Sequence, residues 1–203
     1  MRLLLGALAA TLAIAGPAHA AEPVIVAFGD SLTAGFGVTP EDSYPARLQA
    51  KLRAEGFAYR VVNAGSSGDT TAGGLRRVDW ALKNKPEVVI VALGANDAMR
   101  GQDLGSVRAN LDAIVARFQK AGARVLVAGM EVPPNYGARY ATDFRRLYRD
   151  VALKRKAAFM PFLLDGVAGN PKLNQPDGIH PTADGYRVVV DHLWPYVEPL
   201  LAR

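Results

Sequence analysis

The chain holds three histidines, and imidazole is the side chain best suited to proton transfer near neutral pH. His19 falls in the apolar leader discussed below, and His192 sits inside a helical pattern, where a lone histidine is usually a bystander. His180 differs. It lies in the loop Asp177-Gly178-Ile179-His180-Pro181, three residues after a carboxylate. That spacing folds into one turn able to bring the carboxylate to one ring nitrogen. The contact fixes the tautomer and stabilises the imidazolium, and the other nitrogen stays free to take a proton. The plainer alternative has Asp177 capping the helix that begins near Thr182.

A histidine base needs a nucleophile, and Ser31 follows an apolar run in Gly29-Asp30-Ser31-Leu32-Thr33-Ala34-Gly35. Glycines on either side permit a tight strand-to-helix turn. A serine at a helix start also has unspent backbone N–H groups beside it, which can bind a developing oxyanion. Further donors are Gly68, with an unobstructed N–H in Asn63-Ala64-Gly65-Ser66-Ser67-Gly68-Asp69-Thr70-Thr71, and the Asn96 amide in Gly94-Ala95-Asn96-Asp97. Taken singly, each is also an ordinary loop residue.

What lends these segments weight is the elements before them. Short apolar, β-branched runs at 24–28, 59–62, 88–93, 125–130 and 158–162 read as buried strands. Between them, Leu104, Val107, Leu111, Ile114, Val115 and Phe118 follow helical spacing. So do Tyr140, Phe144, Leu147, Tyr148 and Val151, and a third stripe runs from Tyr186 to Val197, with Pro195 and Pro199 expected to bend or interrupt it. Ser43-Tyr44-Pro45 reads as a helix start capped by the serine. Five strand–helix alternations predict an α/β fold, a three-layer α/β/α sandwich on a five-stranded parallel sheet, with the site in loops at the carboxyl ends of the strands.

In order and across nearly the whole chain after the leader, these segments resemble the sequence blocks of the GDSL/SGNH hydrolases. The resemblance implies a flavodoxin-like sheet. It also implies Ser31 as nucleophile with Asp177 and His180 completing a triad, an oxyanion hole from Ser31, Gly68 and Asn96, and no metal or cofactor. Within the family the chain looks like the bacterial periplasmic thioesterase/lysophospholipase/arylesterase group. Leu32, Tyr44-Pro45, the segment Pro133-Pro134-Asn135-Tyr136-Gly137 and Ile179 match that group's substrate-lining stretches. The loop Ala98 to Leu104, with Met99 and a deformable Gly101, matches one that closes over the acyl chain. The implied partner is a small acyl ester or thioester, acted on by a monomer. The Gly-x-Ser-x-Gly elbow of α/β-hydrolases is absent.

Three other readings compete. Asp30, Asp69, Asp97, Asp177 and His180 could ligate a metal in a phosphoesterase, but Ser31, Gly68 and Asn96 then share no task. A non-catalytic binding protein on the same sheet leaves the full constellation unexplained. A carbohydrate O-deacetylase of the same family is the nearest rival, and the apolar residues Leu32, Met99, Leu104 and Ile179 favour an acyl chain over a sugar.

Composition sets the remaining bounds. The chain of 203 residues has no cysteine, which excludes disulfides and thiol catalysis, and a net charge of +5. Much of the basic excess lies between Arg145 and Lys156, either as a solvated helix face or as a surface for anionic lipid or phosphate. No aromatic-interleaved basic pattern points to nucleic acid. Met1-Arg2, the apolar run Leu3 to Gly16 and Ala18-His19-Ala20 read as a secretory signal peptide over residues 1–20. This run is too short to span a bilayer comfortably. The expected protein is periplasmic or secreted, one hydrolase domain over residues 21–203, without stable membrane insertion.

Overall fold

The computed structural model describes residues 22–202, so the expected leader lies outside the described residues. Five parallel strands, β1 (Val24–Gly29), β2 (Arg60–Gly65), β3 (Val88–Ala92), β4 (Arg124–Ala128) and β5 (Ala158–Met160), form one sheet in the order β2-β1-β3-β4-β5. β1 and β3 are buried along their whole length. Such strands have no solvent face on which to place polar residues, and they therefore read as unbroken apolar runs.

The helices are α1 (Ser31–Ala34), α2 (Tyr44–Ala54), α3 (Thr71–Leu82), α4 (Ala95–Met99), α5 (Leu104–Lys120), α6 (Ala138–Arg155) and α7 (Ala183–Val197). α3, α5 and α6 cover one face of the sheet, and α2 and α7 cover the other. The apolar stripes predicted for α5, α6 and α7 are the buried faces of those helices. In the core, Phe28 of β1 meets Phe118 of α5 edge-on at 5.2 Å. This is the predicted three-layer sandwich. The sheet order reverses direction between β1 and β3, the place where doubly wound sheets open a crevice.

Local expectations need five corrections. β2 is displaced to Arg60–Gly65 and takes in three residues read as loop. The β4 run ends at Ala128 because residues 130–133 leave the sheet to line a cavity. β5 stops at Met160, before Pro161, which has no N–H to give a ladder. α7 runs through Pro195 to Val197 and passes into a 3₁₀ turn at Glu198–Leu200. Ser43 stands at the N-cap of α2, but its hydroxyl donates to Pro40 O at 2.7 Å instead of capping the helix. The basic stretch on α6 is largely paired: Arg145 with Glu131, Arg146 with Asp143, and Lys154 and Arg155 with Asp112. That is the solvated-face reading. Among the described residues no helix is long and apolar enough to cross a membrane.

One arginine gathers the ends of β1 and β2. Arg77 of α3 donates to Gly29 O and Ala64 O, each at 2.7 Å, and its Nε donates to Asp69 at 2.6 Å. Its guanidinium lies 4.1 Å from the Phe28 ring centroid. The turn after β2 is thereby anchored beside the turn after β1.

The same two strands hold α1 close. A Cβ on Gly65 would fall 2.2 Å from the Ala34 N and 2.6 Å from its Cα, both backbone atoms. Gly65→Ala therefore pushes α1 off the end of β2. We expect a loss of about 1–3 kcal/mol, as for overpacking generally. In a domain of this size the thermal midpoint falls by roughly 2–4 °C per kcal/mol, and activity should fall with it because α1 carries Ser31. An unchanged melting curve would show that the strand end yields freely.

Candidate active site

Ser31 opens α1 directly after β1. Asp30 caps that helix, its Oδ1 accepting from Leu32 N at 3.0 Å, and Gly35 ends it in a left-handed conformation. Tyr186 of α7 donates to Leu32 O at 3.0 Å, and Tyr44 of α2 shares a 3.2 Å hydrogen bond with Thr33 Oγ1. Two buried phenols thus brace the helix from behind.

Across the sheet edge, His180 Nε2 lies 2.9 Å from Ser31 Oγ, a contact spanning 149 residues, and His180 Nδ1 lies 2.7 Å from Asp177 Oδ2. The other Asp177 oxygen accepts from Ile179 N and His180 N, each at 3.0 Å. Partial burial works against the Asp177 charge. The two backbone donors and the imidazole outweigh it and hold the carboxyl down at about 2. The capping alternative is settled locally: Thr182 is the N-cap of α7, accepting from Gly185 N, which leaves Asp177 to the histidine.

Gly68 and Asn96 converge on the same edge. Gly68 is the third residue of a turn closed by Asp69 N on Ser66 O, and its φ of 78° is a conformation that favours glycine. Among the described residues, no hydrogen bond uses the backbone N–H of Ser31 or Gly68. Asn96 is buried in α4, with its Nδ2 at 3.4 Å from Asp30 Oδ2. Burial pushes the Asp30 carboxyl up to about 6, against the opposing pull of Leu32 N–H and His180. Next in sequence, Asp97 accepts from Thr71 N and Thr71 Oγ1, at 2.8 and 2.6 Å, and so ties α4 to the start of α3.

The rival metal set is dispersed: Asp69 is engaged by Arg77, Asp97 by Thr71 and Asp177 by His180. Among the described residues no group of three or more histidine or acidic side chains is disposed around a common point.

A cavity of about 440 Å³ opens beside Ser31. Leu32, Met99, Pro133 and Ile179, all expected from the sequence, line it with Asn96 and His180. Among the expected residues that do not, two have a clear structural reason. Tyr44 is fully buried behind α1, where its hydroxyl meets Thr33, so it supports the serine helix without reaching the cavity. Leu104 begins α5 and packs against the core.

Tyr136, from the expected segment 133–137, also lines the cavity. Other residues of the site had no motif to announce them. Met130, Val132, Phe162 and Leu164 extend the apolar wall. Phe36, half-exposed, lies against the His180 ring at 4.7 Å. Gln175 donates to Phe36 O at 2.8 Å and Pro181 O at 2.9 Å, tying the histidine loop to the loop after α1. The one sequence signal for Phe36 is an apolar aromatic set between Gly35 and Gly37, where a loop residue would ordinarily be polar.

A hydroxyl, an imidazole and a carboxylate in line, with free donors nearby and an apolar cavity alongside, suit acyl transfer. Comparison with known proteins agrees. Residues 27–188 match the model of the GDSL-like lipase/acylhydrolase family. The chain is 41% identical over 184 residues to esterase TesA of Pseudomonas aeruginosa, covering 90% of this chain and 92% of that protein. It is 34% identical over 183 residues to thioesterase 1/protease 1/lysophospholipase L1 of Escherichia coli K12, covering 90% and 86% respectively. A crystal structure of TesA superposes with a TM-score of 0.86 at 41% identity, over 88% of this chain and 99% of that one. The chain therefore belongs to the GDSL-like lipase/acylhydrolase family and is an ester hydrolase of that type.

Proposed function

We propose that this enzyme cleaves carboxylic esters and thioesters through an acyl-enzyme on Ser31. The observation that carries the reading is the line Ser31 Oγ–His180–Asp177, with contacts of 2.9 and 2.7 Å, beside an apolar cavity. His180 takes the Ser31 proton as the oxygen attacks the acyl carbonyl. Asp177 holds the imidazole in the tautomer that leaves Nε2 free to accept, and stabilises the imidazolium. The backbone N–H groups of Ser31 and Gly68 and the Asn96 amide receive the oxyanion. His180 then protonates the departing alcohol or thiol, and water repeats the sequence to free the acid.

The cavity wall of Leu32, Met130, Val132, Pro133, Phe162 and Ile179 suits a hydrocarbon chain better than a sugar. Thioesters enter the proposal through the E. coli relative's name and through a mechanism indifferent to an oxygen or sulfur leaving group. The apolar stretch and small-residue site of residues 1–20 support export of the enzyme, to the periplasm or beyond the cell, by a cleaved signal peptide.

A fluorophosphonate should add to one residue, Ser31, as read by peptide mass spectrometry, with activity lost in proportion to labelling. EDTA should leave the rate unchanged. Full activity in a protein labelled at Ser31 would overturn the mechanism.

Asp177→Asn should lower kcat by about 10⁴-fold, because an amide donor facing Nδ1 selects the wrong tautomer. In the parent enzyme Asp177 stays ionised down to about pH 2. Its folded-state pKa is depressed, so whatever it contributes to stability is present above the ordinary carboxylate range and disappears only as pH falls through 2. Asp30, raised to about 6 by burial, takes up its proton in the range between pH 7 and 5, and that uptake favours the folded state. Activity lost between pH 7 and 5 should therefore come without loss of fold, measured by circular dichroism alongside kcat. Unfolding that tracks the activity would contradict this.

Met99 is a flexible, half-exposed part of the cavity wall. Met99→Ala should uncover about two methylenes of a long acyl chain at about 0.8 kcal/mol each, a loss of roughly tenfold or a little more in kcat/KM. Acetyl, hexanoyl and decanoyl p-nitrophenyl esters provide the comparison. Loss confined to the longer chains is expected; equal loss on all three would make Met99 a support of the catalytic loop.

A further inference from the structure

Acyl transfer in this enzyme hangs on one contact between distant segments, His180 Nε2 to Ser31 Oγ at 2.9 Å. Asp177 cannot set that distance. It lies on the same turn as His180 and bonds only within it, so the whole turn could shift against α1 with the Asp177–His180 contact intact. What fixes the turn against the helix is Gln175. Its backbone N–H donates to His180 O at 2.7 Å, and its carbonyl accepts from Gly178 N at 2.9 Å. Its side-chain Nε2 donates to Pro181 O at 2.9 Å and, across to the loop after α1, to Phe36 O at 2.8 Å. Phe36 is joined in turn to the nucleophile. Its N–H donates to Ser31 O at 3.1 Å, and its ring lies against the imidazole at 4.7 Å.

A closed circuit results: Ser31 to Phe36, Phe36 to Gln175, Gln175 to His180, and His180 back to Ser31. Three links join backbone groups and one amide, and the fourth is the reacting pair, whose spacing the other three determine. Two carbonyls need two donors from one group, which among uncharged side chains only the amide of Asn or Gln supplies. The loop makes room for that amide at Gly37, where an added Cβ would fall 2.0 Å from Gln175 Oε1. We propose that Gln175 is a positioning residue that sets the distance from His180 to Ser31. The inference rests on the Ser31 mechanism above and gives a part in it to a residue outside both the triad and the acyl cavity.

Gln175→Ala removes both donors. Its kcat on p-nitrophenyl hexanoate should fall about ten- to a hundredfold with KM near the parent value, the scale of a small displacement between reacting groups. A displaced imidazole is a poorer acid as well as a poorer base. p-Nitrophenolate departs without a proton and an alkoxide does not, so kcat/KM on ethyl hexanoate should fall about tenfold further. The ratio of the two esters, measured within one protein, is blind to a simple loss of folded enzyme. Gln175→Glu keeps the size of the side chain but, ionised, donates to neither carbonyl, and it should lose at least as much as Gln175→Ala. Gln175→Asn keeps both donors on a shorter stem and should recover part of the rate. If Gln175→Ala fails to fold, the Glu and Asn variants carry the same comparison. Parent kcat in Gln175→Glu would make the side chain a filler beside Gly37, and equal losses on both esters would make it a prop for the loop; either result overturns the proposal. Failure of the Ser31 reading is separate: it would show as activity surviving Ser31→Ala in a protein with Gln175 intact.

Discussion

Parallel strands all end at the same edge of the sheet, and their last carbonyls need donors that the ladder does not supply. Arg77 is the answer on the β1–β2 side of this sheet. It closes the ends of β1 and β2 and grips Asp69, so one planar fork sets the spacing between the turn that carries Ser31 and the turn that carries Gly68. A lysine's three N–H groups diverge from a single nitrogen and could not span these three acceptors as the guanidinium does from Nε, Nη1 and Nη2. The Phe28 ring beneath the guanidinium limits the water that could compete for those carbonyls. In the proposed mechanism, pre-organisation of the oxyanion donors is therefore a consequence of how a parallel sheet is terminated, and the rigid sheet below keeps it from relaxing.

The histidine half of the site is built differently. Its loop is long and mostly irregular, and its order comes from side chains replacing a backbone ladder. Asp177 folds back on its own following amides, and the two hydrogen bonds that shape this turn also keep the carboxylate ionised. Gln175 then clips the loop to Phe36 and Pro181, and Phe36 packs against the imidazole. One feature thus serves two ends: the turn that brings a carboxylate to His180 gives that carboxylate the charge it needs there.

Much of this was legible in the chain itself, for reasons that differ by element. β1 and β3 show as apolar runs because both faces are buried, and α5 and α6 show as stripes because one face is. Ser31, Asp177 and His180 stood out because polar, glycine-flanked segments after buried strands have few structural reasons to exist. Residues whose part depends on what arrives from elsewhere were harder to read. Tyr44 carries the aromatic character of a substrate contact, yet α2 turns it into the core behind Thr33. Leu104 lies next to the cavity segment in sequence, but the start of α5 directs it toward the core. Ser43 occupies the cap position of α2, but the preceding 3₁₀ turn offers Pro40 O as a competing acceptor. Gln175 meets Phe36 across 139 residues, and no local pattern encodes such a meeting.

The divided construction bears on how substrate range can change within this architecture. The reacting atoms are held by α1, α4 and the Asp177 turn, all fastened to the sheet or to themselves. The acyl wall comes instead from segments with fewer such ties: residues 130–136 after β4, Phe162 and Leu164 after β5, and Met99 beyond the tied part of α4. Substitution in those segments alters the apolar area offered to a chain without shifting a hydrogen bond of the triad. Gly68 and Asn96 have no such freedom. Gly68 is bound to a positive φ, and Asn96 is buried beside a carboxylate whose own ionisation is opposed by that burial. A larger or differently charged side chain at either position would disturb the proposed oxyanion donors and the serine helix together. The physical expectation is a conserved reaction with an adjustable acyl preference, because sheet termination constrains the first and only loop packing constrains the second.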